Sequence, residues 1–187
     1  MKFGVIGFGN IARKFVKSIT YSNGHEVIAV AARSKEEAED YLDKNKSVLF
    51  YNDYLELLEN KDIEAVYIAL PHKFHYHWSM EALKHNKSVL CEKPATLSVE
   101  EMKSLRSESK KRNVIFLEAL KTKINHGYLQ LLDDLKSIGK IESIESHFCF
   151  NATPIKGSGT YLFDQQQGGA LNDVGSYMLG FTLKMIY

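Results

Sequence analysis

Short apolar runs alternate with longer amphipathic stretches from residue 2 to about residue 118. The runs at 2–7, 26–31, 48–50, 65–69, 88–91 and 114–117 are β-branched and carry no polar face, so each is predicted to be a strand buried on both sides. That pattern belongs to a parallel sheet with helical crossovers, because antiparallel strands with one wet face alternate polar and apolar residues. Two helix starts are predicted from reciprocal capping pairs, Ser34 with Glu37 and Ser98 with Glu101. The expected fold is α/β, a doubly wound parallel sheet.

After Leu117 the rhythm changes. A helix is predicted over 125–137, a turn at Gly139, one long strand over 141–150, a loop holding Pro154, Gly157 and Gly159, and a final helix over 172–187. A lone strand is not stable without neighbours, so the strand at 141–150 is expected to join a sheet supplied from elsewhere. The last residues, 181–187, end without a glycine stop or polar tail, and the chain is expected to be a C-terminally incomplete piece.

The length of 187 residues agrees, since it exceeds one domain of ~150 residues without reaching two. With 44% hydrophobic and 25% charged residues and three prolines, the composition is that of an ordinary folded protein. Twenty-four basic and twenty-three acidic side chains give a net charge of +1, which excludes a global field for nucleic acid or an anionic membrane. No apolar run approaches a membrane span or a signal-peptide core, and the expected location is the cytoplasm. Cys91 and Cys149, far apart in sequence, are expected to be buried free thiols.

Candidate chemistry begins at Gly7-Phe8-Gly9-Asn10-Ile11-Ala12, a G-x-G-x-x-A turn placed between the first strand and the first helix. There the first glycine allows the tight turn, the second allows a pyrophosphate to reach the backbone, and the small Ala12 allows close helix packing. A site for NAD carries an acidic residue about 20 positions on. This chain instead reads Ala31-Ala32-Arg33-Ser34-Lys35, so Arg33, with Ser34 and Lys35 in support, points to the 2′-phosphate of NADP, with NAD as the alternative.

Cys91-Glu92-Lys93-Pro94 falls at the C-terminal end of the fifth strand, the edge where open α/β sheets bind ligands. A partly desolvated Lys93 there can stabilise charge on a substrate oxygen, although the tetrapeptide alone also fits a plain strand-to-turn junction. A second group is Gly168-Gly169-Ala170-Leu171-Asn172-Asp173-Val174-Gly175-Ser176-Tyr177, in which i, i+4 spacing places Asp173 and Tyr177 on one helix face. A tyrosine beside a lysine and a carboxylate can work as an acid or base. Taken alone, the pair also reads as an aspartate at a helix start and a core tyrosine. His72, His75 and His77 lack the spacing of a structural zinc site, and no metal is expected.

Together these motifs resemble the Gfo/Idh/MocA family of NAD(P)-dependent oxidoreductases. The resemblance runs through residues 7–12, Pro71-His72-Lys73-Phe74-His75, residues 88–94 with their Glu-Lys-Pro, and residues 168–177. It implies a Rossmann domain over 1–119 and, over 120–187, the incomplete start of an α+β substrate and dimerisation domain with an open, mainly antiparallel sheet. It implies catalytic roles for Lys93, Asp173 and Tyr177. Tyrosine at 177 is similar to the dihydrodiol dehydrogenase and glucose-fructose oxidoreductase branch, which is associated with NADP. The resemblance also adds Leu70, Pro71, His72, His75, Glu92 and Lys93 to the cofactor-binding residues, and implies a sugar, polyol or diol substrate and a homo-oligomer. Two other functions stay open on the residues alone: an NADP(H)-binding module without turnover, and a structural subunit that pairs its unaccompanied strand with a partner.

Overall fold

The computed structural model describes residues 1–186, and its chain divides into two compact units, Met1–Glu118 and the residues from Ala119 onward. The first unit holds six parallel strands, β1 (Lys2–Ile6), β2 (Glu26–Ala31), β3 (Leu49–Tyr51), β4 (Ala65–Ile68), β5 (Ser88–Cys91) and β6 (Phe116–Glu118), in the order β3-β2-β1-β4-β5-β6. Helices α1 (Asn10–Ser18), α2 (Glu39–Lys44), α3 (Tyr54–Glu59), α4 (His75–Lys84) and α5 (Val99–Arg112) make the crossovers. Residues facing both sides of the central strands are buried, among them Val5, Ile6, Val30, Val66 and Ile68, which is why these strands are uniformly apolar. Leu57, Leu83 and Leu105 bring α3, α4 and α5 onto that core. Strand order reverses between β2 and β4 on either side of β1, and ligands of such sheets bind outside the carboxyl ends at this switch point.

Local chemistry explains two departures from the expected elements. β6 begins at Phe116 rather than at residue 114, because Val114 closes the end of α5: its N–H donates to Ser109 O at 3.1 Å and its carbonyl accepts from Ser109 Oγ at 2.6 Å. The pair at Ser98 forms as predicted, with Glu101 N–H donating to Ser98 Oγ at 3.2 Å and Leu97 N–H donating to the Glu101 carboxylate at 3.0 Å. The pair at Ser34 does not form, since Glu37 turns instead to Arg33 and the segment Lys35–Glu37 is a short 3₁₀ turn.

In the second unit, α6 (His126–Asp134) runs into a 3₁₀ turn at Leu135–Ser137, and a π-helical stretch at Leu171–Gly175 leads into α7 (Ser176–Ile186). Tyr128 of α6 donates its hydroxyl to the Phe181 carbonyl of α7 at 2.7 Å. The strand expected over 141–150, and with it the mainly antiparallel sheet, is absent among the described residues. A strand is defined by its ladder, and no other described part of this unit is extended beside it. Cys149 lies in that segment and is exposed, contrary to expectation, whereas Cys91 is buried in β5 and burial pushes its thiol pKa far up. The final helix was expected to reach Tyr187, which lies outside the described residues. Among the described residues no helix is long and apolar enough to cross a membrane.

Candidate functional site

The turn after β1 is built as its spacing predicts. Gly7 has φ +83°, and its N–H donates to Ala31 O at the end of β2 at 2.9 Å. A Cβ on Gly7 would come within 2.6 Å of the Ala69 carbonyl, so only glycine fits between the ends of β1 and β4. Gly9 caps α1 with extended backbone, and nothing lies within 4 Å of where its Cβ would be. Gly9 is therefore not needed by the fold; its bare backbone, with Asn10 and Ile11 exposed beside it, leaves a cradle at a helix N-terminus that a pyrophosphate fits. Phe8 and Ala12 are buried, and their side chains serve the packing beneath the turn.

At the end of β5 the Glu92-Lys93-Pro94 turn is tied from several sides. Glu92 N–H donates to Ile68 O at 2.9 Å, and the Tyr67 hydroxyl of β4 donates to the Glu92 carboxylate at 2.5 Å. Tyr67 is itself stacked on Phe15 of α1, with ring centroids 4.0 Å apart. Ala95 N–H donates to Glu118 at the end of β6 at 2.8 Å. Lys93 is half-buried on this turn, at the carboxyl edge of the sheet.

His75 completes the arrangement. It is closed to solvent, with Nδ1 2.7 Å from Pro94 O and Nε2 2.7 Å from Leu70 O. Both ring nitrogens face protein carbonyls, the single N–H of the neutral ring donating to one of them, so His75 joins the β4–α4 turn to the Lys93 turn. Burial pulls its pKa below the ordinary histidine range, while those two carbonyls and the carboxylates of Glu92 and Glu118 act in the opposite direction. His72, in the 3₁₀ turn His72–Phe74, is also buried, its ring 5.7 Å from that of His75. Leu70 and Pro71 are partly exposed on the same edge.

Arg33 and Ser34 follow β2 at the sheet edge, Arg33 exposed and Ser34 half-buried. Two neighbours escaped the sequence reading. Glu37 holds Arg33 through Oε1, 2.9 Å from Nη2, and Arg13 of α1 donates from Nη2 to the Glu37 carbonyl at 2.5 Å. The run Ala31–Lys35 holds no carboxylate, yet one stands beside Arg33, because the 3₁₀ turn folds Glu37 back over four residues. A scan for i, i+4 charge pairs would have found it.

In the second unit Asp173 lies in the π-helical stretch and Tyr177 in the first turn of α7. The change of helical period between them means that i, i+4 spacing does not by itself assign them to one face. Asp173 N–H donates to Gly169 O at 3.1 Å, and Asn172 Nδ2 donates to Gly168 O at 3.0 Å, which ties the paired glycines to the start of the helix. The Tyr177 ring meets Phe148 edge-on at 5.8 Å, and Lys121 Nζ lies 5.9 Å from its centroid. Lys121 too was missed, since no motif marks it.

A parallel sheet of this order, with a glycine turn opening its first helix, defines a dinucleotide-binding Rossmann domain. Comparison with known proteins carries this further: the model of an oxidoreductase family with an NAD-binding Rossmann fold matches residues 1–120. The chain belongs to this family, Gfo/Idh/MocA. It is similar to trans-1,2-dihydrobenzene-1,2-diol dehydrogenase of Xenopus laevis, 30% identical over 97% of this chain and 55% of that protein. It is similar to the NADP(+) scyllo-inositol 2-dehydrogenase of Bacillus subtilis, 29% identical over 96% of this chain and 56% of that one. Among solved structures, a 3-ketoreductase from Actinomadura kijaniata in complex with NADP and TDP-benzene superposes with a TM-score of 0.88, at 28% identity over 98% of this chain and 57% of that chain. The chain thus spans a little over half the length of the curated relatives it matches.

Proposed function

We propose that this chain, residues 1–119 binding the dinucleotide and residues 120–187 opening a substrate domain, belongs to an NADP-dependent oxidoreductase. Its reaction moves a hydride between the nicotinamide and a CH–OH or C=O carbon of a sugar, polyol or diol. The observation that carries the reading is the shared carboxyl edge of β1, β2 and β5, which holds the open Gly9 cradle, Arg33 and the Lys93 turn. The names of the relatives, a diol dehydrogenase, an NADP(+) inositol dehydrogenase and an NADP-bound ketoreductase, support both the substrate class and the cofactor. The cofactor, when bound, supplies the hydride chemistry, and the protein supplies position and charge. Gly7 to Ala12 hold the pyrophosphate, Arg33 and Ser34 meet the 2′-phosphate, and Leu70, Pro71, His72 and Glu92 frame the edge. The roles proposed for Lys93, Tyr177 and Asp173 are those the family resemblance implies: stabilising negative charge on a substrate oxygen, exchanging a hydroxyl proton and orienting the reacting groups.

The reading includes a cytoplasmic homo-oligomer, and the net charge of +1 supports a small-molecule substrate over nucleic acid or an anionic membrane. Lys93→Met is the test. NADPH affinity should persist while turnover of a sugar or diol falls by about 10²–10³-fold, and unchanged turnover would overturn the assignment. A second reading, a binding module without turnover, rests on the Gly9 cradle and the exposed Arg33, which suit a dinucleotide whether or not a substrate is turned over. NADPH binding with no turnover across a panel of sugars and diols would select it.

A further inference from the structure

The end of β2 carries an arrangement that neither the glycine turn nor Lys93 accounts for. Glu37 turns back on Arg33, its Oε1 accepting from Arg33 Nε at 3.1 Å and standing 2.9 Å from Nη2. From α1, Arg13 donates to the Glu37 backbone carbonyl at 2.5 Å, with its guanidinium 5.4 Å from the centroid of the Phe8 ring. Phe8 belongs to the glycine turn and packs on Tyr41 of α2, ring centroids 5.3 Å apart. Guanidiniums from two elements therefore converge on one glutamate, at the edge where the adenosine ribose of a dinucleotide lies in this fold.

We propose that Glu37 sets the choice between NADPH and NADH: its carboxylate occupies the Arg33 fork that a 2′-phosphate needs, holds down the preference for NADPH and keeps NADH acceptable. The inference rests on the oxidoreductase reading above. A carboxylate and a phosphate present the same paired oxygens to a guanidinium, so they compete for one set of donors. The Arg33–Glu37 pair is open to water, with side-chain exposures of 85% and 32%, so it is weak and yields to an incoming phosphate. The displaced carboxylate stays beside the phosphate and repels it. With NADH the same carboxylate is an acceptor for the ribose hydroxyls, the task of the acidic residue that NAD sites place after this strand. Arg13, by holding the Glu37 carbonyl, is the positioning residue that keeps the 3₁₀ turn where its carboxylate reaches Arg33.

The test is titration of the chain with NADPH and with NADH, by cofactor fluorescence, for the wild type, Glu37→Gln, Arg33→Ala and the double variant. Glu37→Gln keeps the side-chain shape, and an unchanged melting temperature reports that it folds. It should tighten NADPH about five- to tenfold, leave NADH unchanged or weaker, and lose its advantage as salt is raised. In the Arg33→Ala background the gain should vanish, because the contested donor is gone. An unaltered NADPH-to-NADH ratio in Glu37→Gln, or an equal gain without Arg33, overturns the inference while leaving the oxidoreductase reading intact. A wild-type chain that binds neither cofactor overturns that reading, and this inference with it.

Discussion

Gly7 and Gly9 stand two residues apart in one motif and do different work. Gly7 is required by the fold, since at φ +83° an added Cβ would meet the Ala69 carbonyl at 2.6 Å and a Leu70 methyl at 2.7 Å. Gly7→Ala should therefore lower stability by about 2–3 kcal/mol, read from urea unfolding. Gly9 has open space around its missing side chain, so Gly9→Ala should lower stability only by the loss of a glycine cap on α1, about 0.5–1 kcal/mol. The same change fills the cradle proposed to hold the pyrophosphate and should weaken NADPH about tenfold or more, measured by titration. Equal stability losses in both variants would show that the second glycine is a packing residue. The motif was legible in the sequence; this division of labour was not, because it depends on what the ends of β4 and α1 bring near each glycine.

At the level of the element, α5 shows how local chemistry sets a boundary. Ser98 accepts from Glu101 N–H, the Glu101 carboxylate accepts from Leu97 N–H, and Glu100 and Glu101 lie at the positive end of the helix with Lys110, Lys111 and Arg112 at the other. Ser98→Ala should cost about 1 kcal/mol, seen as a lower midpoint of denaturant unfolding with unchanged slope. The same two residue types fail at Ser34, where Arg33 takes Glu37. A capping pair can be read from sequence only when no stronger partner for its carboxylate stands nearby, and that is a matter of charge in space. The strand predicted at 141–150 fails for a related reason, since strand propensity becomes a strand only where another strand supplies the ladder.

For the whole molecule, acid should act in two stages. Burial first of all holds the His75 pKa below its ordinary value, so the unfolded chain takes up a proton that the native one resists. That contribution is complete above pH about 6.5 and is lost as pH falls toward the folded pKa. Asp43, Glu81, Glu108 and Asp133 are held below the carboxylate range by hydrogen bonds from Lys46, Lys84, Arg112 and Lys136. Their contribution is present above pH about 4.5, is lost below it, and is small because the pairs are solvated. Thermal melts across pH should show both declines, with His75→Gln removing the first and added salt reducing the second. A first decline that survives in His75→Gln would place the responsible group elsewhere.

The amino-acid sequence alone determined the succession of strands and crossovers along the chain, the glycine turn, the Glu-Lys-Pro turn and the family, because each rests on the period of apolar residues or on short motifs of near neighbours in the chain. Only the tertiary structure decided that His75 is enclosed between two carbonyls and that Glu37 pairs with Arg33. It also decided that Asp173 and Tyr177 are separated by a change of helical period. Leu70, His75 and Pro94 span 24 positions of sequence yet meet within hydrogen-bonding distance, and such meetings follow from how parallel strands set their carboxyl ends side by side.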